Sequence, residues 1–177
     1  TASLWAQERR KAKGDATVLI GSSRIFFDID LDIWEEKSGI RPVQLALEGT
    51  SPQPVLSDLA ADNDFNGTVV VGVTAPIAFS GYAYRGDVIA EANSEAPFER
   101  AGHVLWMQID KLFAYTDEMT RPKTMIFNAD LPLREGMRRR MQPHKLAIHN
   151  ADRNTEMWAR VVEDQPYQQL ARDVWGN

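Results

Sequence analysis

Hydrophobic positions along the chain follow two rhythms. Short continuous apolar runs occur at Val18-Leu19-Ile20, within 42–47, and at Val69-Val70-Val71. Between them apolar residues recur at helical spacing: Ile29, Ile33 and Trp34 within 28–38, then Leu56, Leu59 and Ala60 within 51–61. Short apolar runs bounded by turn residues read as buried strands. Strands without polar alternation suit a parallel sheet covered on both faces. The pattern therefore predicts strands at 17–21, 42–47 and 68–73, with helices at 28–38 and 51–61 between them. Gly39 offers the first helix a stop. Ser51-Pro52 opens the second in cap-then-proline order, and 63–67 is a turn cluster. Strand, helix, strand, helix, strand in that order predicts an α/β fold, a three-layer, doubly wound α/β/α domain of flavodoxin-like kind.

Beyond residue 80 the rhythm weakens. The segment 80–96 reads as irregular. A helix is predicted over 98–119, with Val104, Leu105, Ile109, Leu112 and Phe113 on one stripe. A fourth strand is predicted at 123–128, a charged helix at 133–141, a short strand or helix start at 145–149, and a helix over 154–175 interrupted near Pro166. Trp106, Trp158 and Trp175 fall on apolar helical stripes and read as core residues. No clean pair of strands closes the sheet in this half, so the sheet reads as incomplete toward its C-terminal end. Ahead of the first strand, the charged, alanine-rich segment 6–13 reads as the end of a helix leading into the domain.

Composition narrows the function classes. At 177 residues the chain fits a single domain able to bury a real core. A net charge of -5 gives no basis for a nucleic-acid or anionic-membrane partner. The run Arg138-Arg139-Arg140 is short and reads as a solvated helix face. The chain has no cysteine, which removes disulfides, thiolate catalysis and zinc-thiolate sites together. No apolar run approaches the ~20 residues needed to span a bilayer. Thr1-Ala2-Ser3-Leu4-Trp5 reads as the cut edge of a longer protein or a processed terminus.

The chemistry concentrates in Thr17-Val18-Leu19-Ile20-Gly21-Ser22-Ser23-Arg24. A strand ends here on a glycine and two hydroxyls. Ligands and catalytic groups of open α/β sheets sit just beyond the carboxyl ends of strands. A serine held there beside the amides of a helical turn is a candidate nucleophile, although Gly-Ser-Ser is also ordinary turn chemistry. Arg24 suits either an anionic group of a substrate or a structural salt bridge. His144 and His149 with Asp152 lack a supporting ligand cluster, so no metal is assigned. Asp28, Asp30 and Asp32 lack the glycine and distal glutamate of a calcium loop and read as solvated acids at a helix start. No cofactor is expected.

Three segments together resemble an enzyme family. Gly21-Ser22-Ser23-Arg24 after a first strand, Gly49 after a second and Gly72-Val73-Thr74 after a third are similar to the ordered blocks of SGNH (GDSL-like) hydrolases, over about residues 15–80. The resemblance implies that Ser23 is the nucleophile. Ser22 fills the family's aspartate position, a variation of membrane-anchored bacterial members that begin Gly-Ser-Ser-Arg. It also implies an oxyanion hole from the Ser23 and Gly49 amides. The family's third donor is an asparagine; this chain offers Thr74 in its place. The family's terminal Asp-x-x-His is absent: Arg100, Met141 and Leu146 stand three positions before His103, His144 and His149. The expectation is thus a serine esterase or O-acyl-transfer domain without its base in this chain. Its substrate would be a small-molecule or glycan O-acyl ester, such as an acetylated glycan. The resemblance also implies an extracytoplasmic setting, with the membrane reached only through a segment outside this chain. Two origins remain open for the missing base: an Asp-x-x-His beyond Asn177 in a longer parent, or a non-catalytic extracytoplasmic binding or scaffolding module on the same fold. Among the histidines, His149 is the first to examine, since its short apolar run can end at a sheet edge.

Overall fold

Valine- and leucine-rich runs pair as parallel strands. In the computed structural model, which describes residues 2–82, 85–110, 147–157 and 159–175, β1 (Thr17–Ile20) lies between β2 (Val43–Gln44) and β3 (Thr68–Val71). Val18 aligns with Val43 on one side and with Val69 on the other. β2 is short as a regular strand, but its alignment continues. The Leu45 amide donates to the Leu19 carbonyl at 2.9 Å, and the Leu47 amide to the Gly21 carbonyl at 3.0 Å. The predicted strand 42–47 is therefore present in its pairing, with only its first part regular.

Burial follows strand position. Val18, Leu19 and Ile20 of the central strand are fully buried, as are Leu45 and Leu47 after β2. β3 departs from expectation. Its run TVVV reads as buried on both faces, yet Thr68 and Val71 are exposed and Val69 and Val70 only half-buried. Among the described residues β3 pairs on its β1 side alone, so its outer edge lacks the cover that buries β1.

One face of the sheet carries the main core. Val18, Ile20, Val43, Leu45 and Leu47 pack with Trp5 of α1 (Ala2–Arg9) and with Val55 and Leu59 of α4 (Gln53–Ala60). Val88 of α6 (Asp87–Ser94) completes this group. α1 is thus part of the domain: the Trp5 indole N–H donates to the Leu45 carbonyl at 3.0 Å. The buried side of α4 is Val55 and Leu59, whereas Leu56 and Ala60, predicted to face inward, are exposed. α6 occupies the segment read as irregular. Val88, Ile89 and Ala92 give it an inward side against α1.

Local chemistry explains the other boundaries. The predicted helix 28–38 is α3 (Leu31–Ser38), and a separate short helix, α2 (Ser23–Asp28), precedes it. The Asp30 carboxylate accepts from the Asp32 and Ile33 amides, so the chain restarts there with an N-cap. α3 ends as predicted at Gly39, in the left-handed region at φ 74, with its amide on the Glu35 carbonyl. After β3 come α5 (Ala75–Ala78), α6 and α7 (Pro97–Asp110). Val104 and Leu105 of α7, predicted for an inward stripe, are exposed, and Trp106 is half-buried.

The predicted helix 154–175 begins instead as a strand. β4 (Ala147–His149) and β5 (Thr155–Met157) form an antiparallel hairpin, followed by α8 (Ala159–Glu163) and α9 (Gln165–Trp175). Pro166 sits in the first turn of α9, where its missing N–H costs nothing. Residues 111–119, the predicted strand 123–128, the predicted helix 133–141, His144 and the side chains of Trp158 and Trp175 lie outside what is described. No helix among the described residues is long and apolar enough to cross a membrane.

Candidate active site at the carboxyl ends of the strands

Two bare backbone positions let α2 descend onto the sheet. Gly21 ends β1 at φ 151, and Gly72 follows β3. Ile25 of α2 fills the space above both. A Cβ at Gly21 would lie 2.9 Å from the Gly72 carbonyl oxygen, and one at Gly72 would lie 2.0 Å from Ile25 Cγ1. Gln44 holds α2 from the other neighbouring strand, its side-chain amide donating to the Ile25 carbonyl at 3.1 Å. Ser23 is consequently the first residue of α2, directly beyond the central strand, and it is half-buried. Arg24 follows it, exposed and without an ion pair to any described residue.

Ser22 has a different task from its neighbour. It occupies the N-cap position of α2 but makes no side-chain cap. Its buried hydroxyl lies instead 3.4 Å from the Thr74 hydroxyl, tying the end of β1 to the residue that opens α5. Thr74 is therefore brought to the Ser22-Ser23 corner, and its hydroxyl meets Ser22.

Gly49 lies in the turn after β2, in the left-handed region at φ 62. Several bonds fix that turn. Thr50 Oγ1 donates to the Glu48 carbonyl at 3.2 Å and accepts from the Arg85 amide at 2.8 Å. The Arg85 guanidinium pairs with Glu48 at 2.9 Å. The Ser51 amide donates to the Tyr82 carbonyl at 2.8 Å, and its hydroxyl to the Ala78 carbonyl at 3.2 Å. Ser23, Gly49 and Thr74 thus each follow the carboxyl end of one of three adjacent parallel strands, the position in which open α/β sheets build their sites.

No base joins them among the described residues. His149 Nδ1 is 3.0 Å from the Thr155 hydroxyl, and its ring stacks on Phe26 of α2 with centroids 5.3 Å apart. His103 Nδ1 is 2.9 Å from Glu95, on the α6–α7 side. Neither imidazole hydrogen-bonds Ser23. Two of the three alternating acids serve the scaffold: Asp30 caps α3, and Asp32 pairs with Arg41 at 2.7 Å, while Asp28 is exposed at the end of α2. Asp152 also pairs with Arg41. Burial opposes its ionisation, but Arg41 and the Asn154 amide outweigh this and lower its pKa. No group of metal-ligating side chains occurs among the described residues.

The hairpin turn supplies two residues that sequence reasoning passed over. Asn154 is buried; its side-chain oxygen accepts from the Leu31 amide at 3.1 Å and its nitrogen donates to Asp32 at 3.2 Å. Arg153 is 5% exposed. It donates to the Gln44 carbonyl at 2.8 Å and to the Ala46 carbonyl at 2.7 Å. Its guanidinium carbon stands 4.8 Å from the centre of the Phe26 ring. Burial pushes its pKa down to about 10. Asn150-Ala151-Asp152-Arg153-Asn154 reads as a polar turn, and nothing in that composition marks which side chains turn inward. Compared with known proteins, the chain matches no family model, no curated protein and no solved structure.

Proposed function

We propose that the chain carries a serine-dependent ester hydrolase or O-acyl-transfer site, with Ser23 as nucleophile, on an SGNH-like three-layer α/β domain. The observation that carries this reading is the placement of Ser23, Gly49 and Thr74 beyond the carboxyl ends of three adjacent strands, with Ser23 opening a helix on the central one. The layering has support on both faces. Val18 and Ile20 pack toward α1, α4 and α6, while Gln44 reaches α2 from a position of opposite parity to Val43 and Leu45.

In this reading the Ser23 oxygen attacks the ester carbonyl as its proton passes to a base. The carbonyl oxygen becomes an oxyanion held by the Ser23 and Gly49 amides, with the Thr74 hydroxyl as a third donor. Collapse expels the alcohol and leaves the acyl group on Ser23. Water or an acceptor hydroxyl then removes it. Arg24 is the cation beside the nucleophile for a substrate that carries negative charge. O-acyl esters, acetylated glycans among them, and an extracytoplasmic setting follow from the resemblance of residues 15–80. The base is unassigned among the described residues.

A second reading is a binding or scaffolding module on the same fold. The observation favouring it is that His103 and His149 are both engaged elsewhere, and serine without a base is a weak nucleophile at neutral pH. Hydrolysis of p-nitrophenyl acetate by the chain and by Ser23→Ala tests the first. The esterase reading predicts slow turnover that Ser23→Ala reduces to the uncatalysed rate. Equal, near-background rates leave standing both the binding module and an enzyme whose base lies outside this chain, and Ser23-dependent hydrolysis by a chain extended past Asn177 then decides for the enzyme.

A further inference from the structure

The hairpin turn inserts a cation into the fold at a cost, and its contacts fall on both segments that carry the proposed oxyanion donors. Arg153 is the one non-glycine residue among those described with a positive φ, at 65. This is a conformation that side chains other than glycine adopt rarely. Its guanidinium is buried, and no carboxylate of a described residue lies within ion-pair distance. A buried charge without a counter-ion is unfavourable unless hydrogen bonds and nearby dipoles compensate it. Here the contacts that compensate it are two backbone carbonyls and one aromatic face, with the Glu48 and Glu8 carboxylates acting from beyond ion-pair distance.

Those three partners have a common property. The Ala46 carbonyl is three residues before Gly49, and the Gln44 carbonyl belongs to β2, which leads there. Phe26 is three residues after Ser23, one turn along the same short helix. A single planar fork therefore spans the exit from β2 and the helix of the nucleophile. Neighbouring bonds hold the fork in place: Asn154 fixes the turn to the start of α3, and Arg41 fixes Asp152.

We infer that Arg153 is a positioning residue that sets the spacing between the Ser23 and Gly49 amides by clamping the Gln44–Ala46 backbone against Phe26. This rests on the serine-ester reading of the site for its catalytic consequence, but not for its structural one. Arginine suits the task and lysine does not, because two carbonyls must be met at once in one plane while the flat group lies over a ring.

The informative variant is Arg153→Gly in the full chain. Glycine accepts the positive φ freely, so the turn keeps its backbone while the clamp is removed. Two readouts are taken. The first is the amide resonances of Ser23 and Gly49 against that of Gly102 in α7, outside the clamped segments. The second is Ser23-dependent ester turnover. The inference predicts that the Ser23 and Gly49 amides shift while Gly102 stays. It predicts that kcat falls about tenfold with KM little changed, as for a loss felt mainly in the transition state. Added N-ethylguanidinium restores part of both effects, which a merely structural role would not give. Arg153→Lys, which retains the charge without the fork, gives shifts in the same direction and serves alone should the glycine variant not fold. Unmoved Ser23 and Gly49 amides in a folded variant overturn the inference. Should Ser23→Ala leave the turnover of the unaltered chain untouched, the ester reading fails, and the amide resonances alone decide for or against the clamp.

Discussion

Ile25 can sit over the sheet only because residue 72 has no side chain. A Cβ there would lie 2.0 Å from Ile25 Cγ1 and 2.5 Å from its Cδ1, so the helix carrying Ser23 would have to lift or Ile25 leave its place. Gly72→Ala is therefore expected to cost about 1–3 kcal/mol, the usual range for overpacking, and to slow any Ser23-dependent reaction. Chemical denaturation and the ester assay check this. Gly102 gives the contrast. It lies within α7 with open space around its Cα. Gly102→Ala should stabilise by about 0.5–1 kcal/mol, the helix-propensity difference between the two residues. Equal effects at the two sites would mean that Gly72 has no packing role. The sequence identifies Gly21, Gly49 and Gly72 as the residues that end apolar runs. It does not say that two of them exist to admit Ile25, because that depends on how α2, which follows β1 directly, lies across the end of β3. Arg153 was illegible for the same reason: its partners are more than a hundred positions away.

Elements were legible where their pattern depends on their own residues. The three strands, the stop at Gly39 and the helix after Ser51-Pro52 come from local runs and turn residues, although Pro52 rather than Ser51 holds the N-cap position of α4 and no side chain caps it. Misreadings arose where tertiary context decides. β5 is three residues of Thr-Glu-Met that become a strand only by pairing with β4. α6 was hidden because only Val88 of its inward side is fully buried. β3 reads as fully buried although its outer edge is uncovered among the described residues. α1 was read as a lead-in, yet Trp5 is buried and bonded to Leu45. Trp5→Phe keeps most of the ring but leaves that carbonyl without its donor. The expected loss is about 1–3 kcal/mol, the cost of an unsatisfied buried polar group, measured as a shift in denaturation midpoint. A neutral Trp5→Phe would argue that α1 does not belong to the cooperative fold.

The loop before β1 and the end of α4 meet at Asp62, which gives that junction a pH signature. The Lys13 ammonium lies 2.7 Å from Asp62, the Asp64 amide donates to it at 3.0 Å, and Arg9 lies 2.9 Å away. These contacts, Lys13 foremost, lower the Asp62 pKa from 3.8 to about 2. The folded state thus favours the ionised form. Its stabilising contribution is present above the unfolded value and is lost as pH falls through about 2. Thermal midpoints of the chain and of Asp62→Asn should differ at neutral pH, with the chain more stable, and converge on acidification. Added salt should reduce the difference, since Lys13, the foremost partner, is exposed. A difference constant with pH would contradict the assignment.

At the scale of the whole molecule, a buried central strand flanked by two parallel neighbours brings three strand ends to one edge, and the residues there are Ser23, Gly49 and Thr74. The order of these three residues was readable along the chain, because each comes within three positions of the end of an apolar run. Its supporting contacts were not: the Ser22–Thr74 pair, the Arg85–Glu48 brace and the Arg153 clamp join segments distant in sequence. The most direct measurement of the central claim is mass-spectrometric mapping of the adduct formed with a fluorophosphonate. This reagent reports a serine hydroxyl facing an oxyanion hole. The account predicts a single, slowly formed adduct on Ser23 that is absent from Ser23→Ala and slower still in Gly72→Ala. Adducts scattered over several hydroxyls, or none on Ser23 after prolonged exposure, would contradict it.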